Sequence, residues 1–274
     1  MSVKTKIEKL QRYFKHQLRL ASNTIFNAEV RAQRKNPNLI PIIIINFNQL
    51  FYLKQLIESL QKRDYNNIVV VDNLSTYKPL LDYYATIEKV VTIHRLLSND
   101  GHLSFWKQSD LVKKYTKGYY VVTDADVVPV TECPDDFLNT FRILIDKAYD
   151  RIKVGFSLKL YDIPEHNPQA NKIKDWEAQF WKTIIHPLAY KAEIDTTFAL
   201  YRPGYNYQKK NFTKAWRTDF PLQARHGGWY INPNTLTEEQ EYYQKTANQS
   251  ASWLLKNDGE LKSNTHQKTY TNDN

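Results

Sequence analysis

Residues 39–47 read LIPIIIINF, a near-continuous apolar run of strand length and far too short to span a membrane. A half-buried strand would alternate apolar and polar residues. This one does not, so both of its faces must be covered, as in the interior of a parallel sheet with helices on either side. The pattern returns at 67–72 (NIVVVD), at 90–96 (VVTIHRL) and at 119–130 (YYVVTDADVVPV). Between the runs lie helical stretches. Residues 48–61 place Leu50, Leu53, Leu56, Ile57 and Leu60 on one stripe, with Asn48 expected as the N-cap, and 79–88 and 104–114 are expected to be helical as well. Strand, helix, strand in repetition predicts an α/β chain built on a doubly wound layer.

The fourth run carries the chemistry. If residues 119–126 stay extended, Asp124 and Asp126 point to one side of the strand and Ala125 to the other, and Pro129 ends the ladder because it has no N–H to give. Two carboxylates on one face repel, and a hard divalent cation carrying phosphate oxygens would neutralise them. The plainer alternative is that one Asp caps the next helix and the other is solvated. The order of elements favours the first reading, because Asp72, the turn at Asn99 and Gly101, and Asp126 then share the carboxyl edge of one sheet, where α/β folds bind ligands.

After this strand, 134–149 is expected as a helix with Phe137, Phe141, Leu144, Ile145 and Ala148 inward, 153–160 as a strand, 175–182 as a short helix and 194–201 as a strand headed by Asp195. Residues 202–218 read as a long binding loop and 237–255 as a closing helix. The final residues, 256–274, are polar and expected to be disordered. At the other end, residues 1–36 have Val3, Ile7, Leu10, Phe14, Leu18 and Ile25 at helical spacing with Lys and Arg between them. Such a basic amphipathic helix either packs on the domain or lies on an anionic membrane surface as a peripheral contact.

Lys and Arg outnumber Asp and Glu by 38 to 29, a formal charge of +9, which suits a polyanionic partner or a generally basic surface. The N-terminus has no continuous apolar core of a secretory signal, and Cys133, the single cysteine, allows no intrachain disulfide. Both features lead to the expectation of a cytoplasmic protein, free or peripheral at the inner face of the membrane. Cys133 reads as a packing residue.

Taken in order, IPIIIINFN, VVVDN, SNDGH, TDADVVP and ARHGGWY resemble the family 2 glycosyltransferases, whose fold is the A type (GT-A) of the nucleotide-diphospho-sugar transferases. The resemblance spans about residues 39–230. It implies a Rossmann-like, mixed and mostly parallel sheet flanked by helices, here with N- and C-terminal helical additions. The implied division is a basic helical segment at 1–38, the transferase domain at 39–235 with a nucleotide-binding half at 39–130 and an acceptor half at 131–235, and a closing helix with tail at 236–274. It further implies that Phe47 or Asn48 together with Asp72 hold the nucleobase and ribose, and that Asn99 and Gly101 lie against the nucleotide. The resemblance also implies that Asp126 ligates Mn²⁺ or Mg²⁺, that Asp124 contacts ribose or the metal shell, and that His226 joins the metal or diphosphate. Arg225, with Arg202, Lys209 and Lys210, is placed to complete a diphosphate clamp.

An inverting transfer needs a base for the acceptor hydroxyl. The acid pair that supplies it in the family is missing between Pro203 and Tyr230. Asp195 and Glu177 are the leading candidates and Asp219 a third. Asp195 is slightly favoured because partial burial at a strand start would raise its pKa toward a useful range. The implied activity is metal-dependent transfer of a sugar from a nucleoside diphosphate sugar, a UDP-sugar before a GDP-sugar, to a glycan or lipid-linked hydroxyl acceptor of surface polysaccharide. Three rivals stand beside it. A sugar nucleotidyltransferase would need a glycine-rich basic loop after the first strand, which is absent. A nucleic-acid binder would explain the charge but not the acids. An inactive fold kept as a binding module would explain the missing acid pair.

Overall fold

In the computed structural model, which describes residues 3–247, the apolar run forms β1 (Ile42–Asn46), and every one of its residues is buried. Ile42 and Ile44 enter one core with Leu53, Leu56 and Val70, while Ile43 and Ile45 enter another with Phe105, Trp106 and Tyr120. Successive strand residues point to opposite faces, so a strand with a core on each side stays apolar until its last residue, Asn46, whose amide donates to the Tyr84 hydroxyl at 2.9 Å.

The chain before it forms two helices, α1 (Val3–Phe26) and α2 (Ala28–Lys35), where a single helix was expected. Asn27 makes the break, accepting the N–H of Val30 as the N-cap of α2. After β1 come α3 (Phe51–Gln61), β2 (Ile68–Asp72), α4 (Lys78–Ile87) and β3 (Thr92–Arg95). The expected helix at 104–114 is divided at Gln108 into α5 (Ser104–Lys107) and α6 (Ser109–Tyr115). Next are β4 (Tyr120–Asp124), β5 (Val127–Pro129) and α7 (Phe137–Lys147).

The expected strand at 153–160 is two pieces in two different sheets, β6 (Lys153–Gly155) and β7 (Ser157–Leu158). The second half continues through α8 (Ala170–Ala178), the hairpin β8 (Ile184–His186) and β9 (Ala189–Tyr190), then β10 (Ala199–Tyr201), β11 (Ala215–Thr218), β12 (Gln223–His226) and α9 (Glu238–Thr246). β11 arises inside the stretch expected as a loop, and the hairpin in a stretch for which no element was expected. Of the predicted strand at 194–201 only the last three residues pair. The end of the predicted closing helix and the polar tail lie outside the described residues.

The main sheet runs β3-β2-β1-β4-β10-β6-β11-β9-β8, and a small second sheet runs β5-β12-β7. In the main sheet β3, β2, β1 and β4 are parallel, β10 is antiparallel to both neighbours, and β6 and β11 are parallel to each other. This is the mixed, mostly parallel, helix-flanked architecture that the resemblance implied. The register sets Asn46 beside Asp72 and Ile45 beside Asp124, so the acids gather at one edge. Among the described residues no helix is long and apolar enough to cross a membrane.

Candidate active site

The TDADV segment does not stay extended. β4 ends at Asp124, the chain turns through Ala125 and Asp126, and it returns as β5. The two carboxylates therefore meet different partners instead of sharing one strand face. Pro129 does not end the pairing either, since it lies opposite Ala224 in β5, an edge strand where its missing N–H costs nothing.

Asp126 meets β12. The pairing of Val127 with His226 brings the imidazole to the turn, and His226 Nδ1 stands 3.5 Å from Asp126 Oδ2. Gly228 N–H donates to the same oxygen at 3.3 Å, and Gly227 N–H donates to the Asp126 carbonyl at 2.7 Å. The His226 ring stacks on Trp229 at 5.4 Å. Glycine is required at 227 because a Cβ there would sit 2.6 Å from the Tyr52 ring, whose hydroxyl donates to the Gly227 carbonyl.

Asp124 meets the segment before β10. Its Oδ2 accepts the Thr196 hydroxyl at 2.6 Å. Burial, and then repulsion from Asp126, push this carboxyl well above the ordinary carboxylate range, with the Thr196 hydrogen bond acting the other way. Asp195, one residue earlier, is exposed to water although protein crowds its other sides. Crowding alone would raise its pKa, as expected from the sequence. The Lys153 ammonium, the Thr196 N–H, Arg217 and His226 together outweigh that and hold it below the usual range. Behind it, fully buried Lys153 donates to the Asp195 carbonyl at 2.5 Å and to the Tyr201 hydroxyl at 3.0 Å.

The remaining predicted residues occupy the same edge but are engaged in building it. Asn48 is fully buried with φ of 50°; its side-chain oxygen accepts from Thr76 and Tyr77 N–H, so it organises the loop after β2 and does not cap α3. Asp72, also fully buried, accepts from the Tyr84 hydroxyl and the Ser75 N–H. Asn99 Oδ1 accepts from Asn73 and from Gly101 N–H, and Gly101 takes φ of 70°, a conformation that favours glycine. Phe47 leans on Tyr243 of α9, 6.3 Å between ring centres.

Two expectations change here. Glu177 is buried against Arg217 at 2.6 Å, and that guanidinium lies over Phe180, so the carboxylate serves as an ion-pair partner inside the fold. Arg225 turns to Asp162, which also takes the Tyr230 hydroxyl and Lys159, so its charge is already matched.

Thr196, Tyr243, Lys153 and His102 were not anticipated. Tyr243 is crowded by the protein, and its phenol is pushed upward first by that burial and then by Asp126 and Asp124. His102 is lowered by burial, against which the Asp195 carboxylate acts. Thr196 and His102 lie in DTTF and SNDGH, next to residues already singled out. Nothing local marks Lys153 or Tyr243, because tertiary folding alone brings them here.

Among the described residues no group of three His, Cys, Asp or Glu side chains converges to hold a metal ion. A divalent ion nevertheless fits the donor set. His226 Nδ1 is buried without a hydrogen-bond partner and faces a carboxylate at a distance too long for a good hydrogen bond. Mg²⁺ in particular keeps several waters and is bound through one or two carboxylates plus substrate phosphate oxygens, so it does not need a full protein cage.

The architecture is a mixed α/β sheet flanked by helices, with acidic side chains gathered at the carboxyl edge of its parallel strands. No family model matches the chain, and no curated protein matches it. Among solved structures it is similar to a mannosyltransferase from Pyrobaculum calidifontis in complex with GDP-Man and Mn²⁺, at 14% identity over 75% of this chain and 60% of that one, TM-score 0.42. It is also similar to S. aureus TarS 1–349, at 15% identity over 75% of this chain and 68% of that one, TM-score 0.43. TarS 1–349 in complex with UDP gives 17% identity over 60% and 46%, TM-score 0.39. At these identities and superposition scores the likenesses carry no argument about activity.

Proposed function

We propose that this chain is a glycosyltransferase that moves a sugar from a nucleoside diphosphate sugar to a hydroxyl acceptor, with a UDP-sugar as the first donor to try. The observation that carries the reading is the unbonded His226 Nδ1 facing Asp126, beside Asp124 and Asp195, at the carboxyl edge of a mixed sheet. Asp126 and His226 would hold Mn²⁺ or Mg²⁺. That ion would supply positive charge to the diphosphate as it becomes the leaving group.

The residues of the chain do the rest. Phe47 offers a ring face to the nucleobase, in a wall shaped by Asn48, Asp72, Asn99 and Gly101. The Thr196 hydroxyl fixes Asp124 beneath the site. Asp195, open to water and held ionised by its cationic neighbours, accepts the proton of the acceptor hydroxyl as its oxygen bonds to the anomeric carbon. The bond to the diphosphate breaks on the opposite side, which inverts the centre. A low pKa makes Asp195 a weak base, so its contribution rests on position. The acceptor hydroxyl belongs to a glycan or a lipid-linked intermediate.

Calorimetric titration of UDP and of GDP into the wild type and Asp126→Ala, with and without Mn²⁺, tests the donor site. Micromolar binding that needs both metal and Asp126 is expected. If neither nucleotide binds in the presence of metal, the reading fails, and salt-dependent DNA or RNA binding becomes the question to ask. With a donor identified, Asp195→Asn should keep nucleotide binding and lose about 100-fold or more in transfer rate.

A further inference from the structure

Helix α1 is mounted back to front. Ile7, Leu10, Phe14, Leu18 and Ile25 form one stripe along it, and all five are exposed, Leu18 at 72%. The side that meets the protein is the polar one. His16, buried, bonds the Asp146 carbonyl at 2.7 Å, Arg19 donates to the Pro203 carbonyl at 2.8 Å, and Tyr13 packs edge-on against Tyr149. A helix that served only to cover the domain would turn its apolar stripe inward. This stripe stays exposed along about 27 Å of helix, from Ile7 to Ile25.

We infer that α1 is a docking helix for a lipid bilayer with anionic headgroups. Charge selects that occupant. With Arg19 turned to the domain, α1 still carries Lys6, Lys9, Arg12 and Lys15 against a single acid, Glu8. Two copies joined along this face would set like charges against each other, whereas an anionic bilayer takes up the apolar stripe and attracts the basic side chains together. Long Lys and Arg stems reach the headgroup level while the stripe lies deeper.

The location gives this docking a direction. α1 and α2 attach at Asp146, Pro203 and Tyr119, near the start of β4 and the end of antiparallel β10, which is the amino edge of the parallel strands. The acids lie at the carboxyl edge. A bilayer under α1 therefore leaves the acid-lined carboxyl edge facing away from it, and docking is separable from the transfer reading.

The test is co-sedimentation of the full chain with phosphatidylcholine vesicles and with phosphatidylcholine/phosphatidylglycerol vesicles at low and high salt, using wild type, Phe14→Glu and Leu18→Glu. Both side chains are exposed, so the melting temperatures should match the wild type. Binding to the anionic vesicles, weakened by salt and reduced about tenfold or more by either substitution, is expected. Absence of binding to anionic vesicles at low salt would overturn the inference, as would equal binding to both vesicle types or by the variants. A dimer in sedimentation velocity that Leu18→Glu dissociates, without vesicle binding, would assign the face to a second copy instead. UDP titration of Leu18→Glu, expected to equal the wild type, keeps this outcome distinct from failure of the donor site.

Discussion

Lys153 has no exposed surface, and its ammonium sits between the Asp195 carbonyl, the Tyr201 hydroxyl and the Phe212 ring at 3.9 Å. Burial is the largest influence on it and lowers its pKa to about 7 from an ordinary 10.5, although Asp195 and Asp124 attract the charge. Between those two values the unfolded chain holds a proton that the folded chain has released. Stability from this group therefore increases with pH across that window, by up to about 1.4 kcal/mol per unit, and is lost as pH falls through about 7. Lys153→Met should abolish this slope, so urea unfolding at about pH 7 and about pH 9 should show the wild type gaining on the variant as pH rises. Parallel stability curves would mean that Lys153 keeps its proton throughout. The sequence offered no warning of this residue: a lysine at the start of KVGFSLKL reads as a solvated strand end until the fold closes over it. The acids were legible because TDADV interrupts an apolar run, but the turn that separates Asp124 from Asp126 depends on partners, Thr196 and His226, that are remote in sequence.

The elements that could be read were those whose burial is symmetrical. β1, β2 and β4 are apolar at successive positions because each has a core on both sides, and no other structure explains such runs as simply. The expected strand from 194 to 201 failed for the opposite reason. Asp195 and Thr196 have work outside the ladder, with Lys153 and Asp124, and pairing begins only at Ala199. α8 is fixed to β11 by one ion pair, Glu177 with Arg217, both almost wholly buried. Because the pair is desolvated, removing one partner leaves an unmatched charge, and Glu177→Ala should cost about 3–5 kcal/mol in urea unfolding. Should the variant be as stable as the wild type, the pair is not holding α8, and Glu177 returns as a candidate for the base.

At the scale of the molecule, the two halves distinguished in the sequence share a single sheet. β10 from the second half lies between β4 of the first and β6 of the second, so neither half retains its own hydrogen-bonded edge if the other opens. α9 adds a second link, since Glu239 accepts the N–H groups of Leu50 and Phe51 at the start of α3, and Tyr242 packs on Tyr77. Calorimetry should accordingly show one unfolding transition, with its calorimetric and van't Hoff enthalpies equal. A ligand bound across the carboxyl edge must move that whole transition. On the proposed reading, at a UDP concentration about a hundred times its dissociation constant, with Mn²⁺, stabilisation of about 2.7 kcal/mol is expected, roughly 5 °C in midpoint. On that reading Asp126→Ala should show no such shift, because the cation would lose a ligand and the diphosphate its counter-charge. Two transitions, of which UDP and Mn²⁺ move only one, would mean that the halves unfold separately and that β10 does not bind them into a single cooperative unit.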